Sequence, residues 1–255
     1  MDEALALLTT LEATAPHAPT ACAGWSAHDV VAHLAAGAAE MATITEAVVA
    51  GGPAPDTAPF ATREAPYAAL PDEELRARLV TEALRLDAAI GALGPGATVS
   101  FSGRRLGAGE LTVHGRSEAA IHRWDLAGDD DVGDELLADA ALTAHAVTVL
   151  NGMVVGSPEE VGARAGAAGI TSLRATFGAP GQPDVVLVVD GAGARLELDD
   201  PSPRPTVRAE APTRLLALWG RRSRRRLSWT GDDSGTAEAL ASFLWGRPTA
   251  LSETR

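Results

Sequence analysis

The chain has no lysine, a single cysteine, and no apolar run near the roughly 20 residues needed to cross a bilayer. Each absence excludes something. One cysteine permits neither an internal disulfide framework nor a zinc site built from thiolates. The missing apolar run rules out a membrane-spanning helix. The acidic start, Asp2 and Glu3, lacks the basic and apolar segments of a signal peptide, so the expected location is the cytoplasm. All 21 basic residues are arginines, set against 34 carboxylates for a formal charge of −13. Such a balance repels nucleic-acid phosphates. An Ala-, Gly- and Arg-rich chain without lysine carries the imprint of a GC-rich genome, which speaks of ancestry and not of chemistry.

What remains is ample material for a core: 255 residues, 46% of them hydrophobic. Leu5, Leu7, Leu8 and Leu11 recur at helical spacing over residues 2 to 14, and Pro16 and Pro19 end that helix. Ser26 and Asp29 form a capping-box pattern that opens a second helix, running to about residue 50. Residues 51 to 71, rich in Pro, Ala and Gly, read as a long loop over the end of a bundle. Further helices are expected over 72–93, 108–127 and 134–150, with a small strand pair around Ser102 and Gly103. The periodicity weakens after residue 152. The expected organisation is a helical bundle over 1–152, a linker over 153–169 and a small α+β domain over 170–248. Strands are expected over 171–177, 184–189, 195–198, 206–209 and 227–229, with helices over 212–220 and 235–245.

Three side chains suggest chemistry when taken together. Glu118 and His122 stand four residues apart on one helix and therefore share a face. Alone, that pair equally describes a solvated hydrogen bond. His33 falls among the buried side of the second helix, either as a core histidine satisfied by one hydrogen bond or as a metal ligand. Two helices of one bundle can bring all three to one interior point. Two imidazoles and a carboxylate leave a coordination position open. Around them, Asp125 is placed to support a histidine ring nitrogen or to lie on the helix surface. His28 reads as solvent-facing, His114 as a supporting or exposed residue, and Cys22 as a small packing residue. Trp25 and Trp124 read as bundle packing, and Arg116 and Arg123 as solvated, or as partners for a carboxylate. The run from Gly220 to Leu227, G-R-R-S-R-R-R-L, is either cations at a helix end or an anion site.

Two stretches, P-T-A-C-A-G-W-S-A-H-D-V-V-A-H-L (19–34) and R-S-E-A-A-I-H-R-W-D-L (116–126), resemble the mycothiol-dependent maleylpyruvate isomerase family, within the wider DinB-like metal-binding bundles. The motifs are short. The order of motifs, the bundle and the following α+β domain, which is similar to a sterol-carrier-like module, extend the likeness over nearly the whole chain. The resemblance implies His33, Glu118 and His122 as ligands of a divalent metal, with Zn2+ as the expected ion and mycothiol as thiol co-substrate. It also implies an assisting arginine from the second domain, for which Arg221 and Arg222 are the candidates. The implied activity is attack of a metal-held thiolate on a small electrophile, ending in cis-trans isomerisation or in S-transfer. Two alternatives stay open: metal-assisted hydrolysis, and a non-catalytic binding protein with a structural metal. The expected partners are the thiol and the electrophile, with neither nucleic acid nor membrane; a monomer and a small homo-oligomer are both compatible.

Overall fold

The computed structural model describes residues 2–101, 104–153, 166–167, 169–190, 193–221 and 227–230. The chain forms two compact units that divide between Gly128 and Asp129.

The first unit contains five helices and a β-hairpin: α1 (Glu3–Glu12), α2 (Ala27–Val49), α3 (Phe60–Ala68), α4 (Asp72–Gly91), β1 (Val99–Phe101), β2 (Arg104–Leu106) and α5 (Ala108–Ala127). Asp2 caps α1 by accepting from the amides of Ala4 and Leu5. The expected capping box opens α2: Ser26 accepts from the Asp29 amide, and the Asp29 carboxylate accepts from the Ser26 amide at 2.8 Å. Asp72, Glu73 and Glu74 fill the first turn of α4, where negative charge meets the positive end of the helix dipole. Leu7 and Leu11 of α1, Val30, Val31 and Leu34 of α2, Leu75 and Leu79 of α4 and Ala119 of α5 form one core cluster. Met41, Ile44, Leu86, Phe101, Leu106 and Leu111 form another, under the hairpin.

One expectation fails here. Residues 60–68, read as loop, are the helix α3, which packs on α2. The helix hides from sequence reading because Pro66 lies inside it and none of its residues is fully buried, so no apolar stripe marks it.

The second unit opens with α6 (Asp131–Leu137) and α7 (Ala140–Met153), where one helix was expected over 134–150. The split has a local cause: Ala138 closes α6, and the Asp139 carboxylate accepts from the Ala141 amide at 2.9 Å to start α7. A sheet of order β5-β4-β3-β6-β7 follows, built from β3 (Leu173–Gly178), β4 (Asp184–Asp190), β5 (Gly193–Asp199), β6 (Val207–Arg208) and β7 (Ser228–Trp229), with α8 (Ala211–Leu218). β4 is buried from Asp184 to Val189, as befits a strand paired antiparallel with β3 on one side and β5 on the other. The boundary expected near residue 152 lies instead at 128. The Asn151 amide group donates to the Leu196 carbonyl at 2.8 Å and accepts from the Leu196 amide at 2.7 Å, so it ties α7 to the edge strand β5. Leu142, Ala146, Val149 and Leu150 of α7 are buried in the same unit. The class is the expected one, α and α+β. The helix expected over 235–245 lies outside the described residues.

Candidate metal centre

His33 projects from α2, and Glu118 and His122 from α5, so the three reach one point because these two helices pack together. The Nε2 atoms of His33 and His122 each lie 3.6 Å from Oε2 of Glu118. A ligand atom from each of the three lies within 4.8 Å of the others. Tetrahedral ligands at about 2.0–2.1 Å from a zinc-like ion stand roughly 3.3–3.4 Å apart, so the spacing and the donor chemistry both fit a divalent cation.

The far nitrogen of each imidazole faces a carboxylate. His33 Nδ1 lies 2.7 Å from Oε1 of Glu64, on α3. His122 Nδ1 lies 2.9 Å from Oδ2 of Asp125, an ion-pair contact that falls short of an aligned hydrogen bond. Such pairing fixes which ring nitrogen points inward and raises its basicity. Asp125 is therefore inside, against the ring, and not on the helix surface; 2% of it is exposed. Its Oδ2 also accepts from the Cys22 thiol at 3.1 Å. Cys22, Asp125 and His122 thus form a second cluster of metal-type donors, behind the first.

The segment before α2 is fastened over this end of α5. The Ala21 amide donates to the Asp125 carbonyl at 2.8 Å, and the Trp25 amide closes a turn on the Cys22 carbonyl at 3.0 Å. Gly24 sits in that turn with φ +84°, a conformation glycine adopts without strain. The turn sets Trp25 beside the imidazoles, 5.2 Å from the His33 ring and parallel to the His122 ring at 6.3 Å, centre to centre. Phe60 of α3 meets the other side of His33 at 5.8 Å. Arg63 lies over the Phe60 ring at 4.4 Å and pairs with Glu40 at 2.8 Å.

The electrostatics follow from enclosure. Burial opposes ionisation of Glu118, but the His122 and His33 imidazoles beside it outweigh burial and hold the carboxyl well below the usual carboxylate range. Burial likewise opposes charge on His122, yet Asp125, Cys22 and Glu118 together push the imidazole well above its ordinary value. Glu118 is packed around by protein while 25% of its side chain stays accessible.

The other candidates have their own surroundings. His28 does not face solvent: its Nδ1 lies 3.3 Å from Asp72 and its Nε2 3.2 Å from the Ala68 carbonyl. His114 is buried against Phe101, with ring centres 5.8 Å apart, and burial lowers its pKa. Arg116 pairs with Glu3 at 2.6 Å, and Arg123 and Trp124 are buried. Arg221, in the second unit, donates Nη1 to the Trp219 carbonyl at 3.1 Å, at the end of α8. Arg222 lies outside the described residues. Sequence reasoning missed Glu64 and gave Cys22 only a packing role.

Comparison with known proteins gives three findings. Residues 1–127 match the model of the mycothiol maleylpyruvate isomerase N-terminal domain. The crystal structure of the mycothiol-dependent maleylpyruvate isomerase is similar in fold, with a TM-score of 0.60 at 16% identity, covering 91% of this chain and 90% of that one. A histidine-to-alanine variant of that enzyme matches with a TM-score of 0.59 at 15% identity over the same shares of the two chains. No curated protein sequence matches the chain.

Proposed function

We propose, from the premise that the chain belongs to the mycothiol maleylpyruvate isomerase family through its N-terminal domain, that it is a metal-dependent thiol enzyme acting on a small electrophile. The observation carrying this reading is the approach of His33, Glu118 and His122 to one point, with a carboxylate behind each imidazole. Three protein donors leave a place for an exogenous ligand, whereas a structural site tends to close with four.

A divalent ion held there, with Zn2+ as the expected one, supplies positive charge that favours the ionised form of an adjacent thiol, whose free pKa is about 8.5. The protein's part is positional. Glu64 and Asp125 hold the two rings with Nε2 inward, and Trp25 and Phe60 pack against the His33 ring. A thiolate, with mycothiol as the proposed source, adds its sulfur to an alkene carbon conjugated with a carbonyl. The π pair moves onto the carbonyl oxygen, and the former double bond becomes free to rotate. Collapse of the enolate re-forms the alkene and expels the thiolate, so isomerisation consumes no thiol. Protonation of the enolate carbon instead leaves the conjugate, which is S-transfer. Both outcomes share the first step.

The test pairs metal analysis of the purified protein with mass spectrometry of its products from mycothiol and maleylpyruvate, beside a thiol-free control. The expected result is one divalent ion per chain and turnover that requires the thiol. Turnover without thiol would overturn the reading in favour of hydrolysis.

A further inference from the structure

Behind the triad a second set of ligand-type atoms converges. Oδ2 of Asp125 lies 3.1 Å from the Cys22 sulfur and 2.9 Å from His122 Nδ1, and a ligand atom from each of the three lies within 4.8 Å of the others. Asp125 and His122 are three residues apart on α5 and so share a face. Cys22 comes from the segment before α2, where backbone bonds hold it. Its amide donates to Thr20 Oγ1 at 3.2 Å, and its carbonyl accepts from the Trp25 amide at 3.0 Å. The neighbouring Ala21 amide fastens the segment to the Asp125 carbonyl at 2.8 Å, which brings the thiol to α5.

Two observations mark this cluster as a place for a cation. His122 is 5% exposed, and its Nδ1 is enclosed with no hydrogen-bond partner among the described residues, the approach to Asp125 at 2.9 Å being out of line. Enclosed polar atoms without an aligned bond are costly, and native structures rarely keep them without a use. The second observation is access. Asp125 is 2% exposed whereas Cys22 is half-buried, so an ion can enter past the sulfur. The charge also fits, because a thiolate and a carboxylate together match one divalent ion.

We propose that Cys22, Asp125 and His122 form a second cation site, which takes a thiophilic divalent ion, Zn2+ or Cd2+, on the ring nitrogen of His122 that faces away from the triad. The donor set selects the class: a soft sulfur beside an imidazole suits zinc-group ions and not Mg2+ or Ca2+. As the ion enters, the thiol gives its proton to solvent. Nδ1 then binds through its lone pair, as a neutral imidazole when the triad is empty. When the triad is filled, the Nδ1 proton also leaves and the ring bridges the two ions as an imidazolate. Around a tetrahedral ion the donors stand roughly 3.4 Å (N to O) and 3.6 Å (S to O) apart, so the contacts at 2.9 and 3.1 Å each open by about 0.5 Å. The triad is already spaced at 3.6 Å. The second ion is therefore the more weakly held: purified protein keeps the triad's ion, and the second site fills from added cation. This site needs only the fold, and not the thiol chemistry proposed above.

The experiment titrates zinc-loaded, full-length protein with Cd2+ and follows the ultraviolet thiolate-to-cadmium charge-transfer band, which only Cys22 can give because it is the sole cysteine. Elemental analysis counts the ions. Wild type is expected to develop the band and to saturate at one ion beyond that of the triad. Cys22→Ser, which keeps a donor for Asp125, should show no band and bind one ion fewer while retaining its zinc. Asp125→Asn and His122→Ala should each weaken the band-forming ion by at least about tenfold. His33→Ala, lacking the triad's ion, should form the band at least as tightly as wild type, because His122 is no longer shared. Three results would overturn the site: no band in wild type under excess Cd2+, an unchanged ion count in Cys22→Ser, or band affinity within about twofold of wild type in either Asp125→Asn or His122→Ala. The last would reduce the cluster to a lone thiol. The two readings fail separately. Purified wild type without a bound ion defeats the proposed function while the Cd2+ band still reports on Cys22, whereas a missing band leaves the triad and its turnover standing.

Discussion

One arginine in each unit has enclosed nitrogens, and the two are treated in opposite ways. Arg214 of α8 is 1% exposed, and its terminal nitrogens reach the Pro183 carbonyl and the Gln182 side chain at 2.7 Å each, with the Phe177 carbonyl at 3.3 Å; only its Nε lacks a partner. Arg104 of β2, a half-buried residue, has two enclosed nitrogens that meet no hydrogen-bond acceptor among the described residues. Other polar groups of the second unit close on protein: the buried Asp184 accepts from the Ser202 amide at 2.7 Å, and Asn151 completes both backbone groups of Leu196. In the first, His33, Glu118 and His122 bring donor atoms to a common point, which the proposed function gives to a metal ion.

The sharpest way to break that contrast is to remove a triad member. His33→Ala or His122→Ala should abolish metal binding and turnover together, measured by elemental analysis and product assay, with far-UV dichroism almost unchanged. A variant that keeps its full metal complement would dissolve the distinction. Next in size is the support behind the rings: Glu64→Ala or Asp125→Asn should weaken metal affinity by about 10–100-fold in a chelator competition. Glu64→Ala should do so with little change in melting temperature, because α3 has no fully buried residue. In the second unit the expected pattern reverses. Arg214→Met strands three acceptors and should cost at least about 2 kcal/mol in denaturant unfolding, leaving metal affinity untouched.

The smallest effect is a drift with pH. In metal-free protein the raised His122 pKa contributes stability that is fully present below the unfolded value of 6.5 and is lost as pH rises through the folded value. Metal competes with that proton, so loading should gain in effect as pH increases. Melting curves with and without metal should therefore separate progressively above pH 6.5. Curves that stay parallel would show that His122 does not exchange its proton for the ion.

Much of this was legible in the chain. The Ser26–Asp29 box, the acidic start of α4 and the i,i+4 spacing of Glu118 and His122 are local signals, and local signals survive in sequence. Glu64 was not legible, because an exposed helix interrupted by Pro66 has no apolar rhythm. Nor was the role of Cys22, whose partner Asp125 is 103 residues away. The helix expected over 134–150 was placed with the bundle, since an apolar face does not say what it will pack on; in the structure Asn151 ties α7 to β5.

The placement of Glu64 has a consequence for how such a protein can diversify. The carboxylate behind His33 is carried by a short outlying helix that adds no fully buried side chain to the interior. Substitutions over residues 60–68, outside Tyr67 with its place against the core cluster, can therefore alter the surroundings of His33 at little thermodynamic risk. For directed evolution around the proposed site, this is the segment in which a mutant library should retain the most folded members.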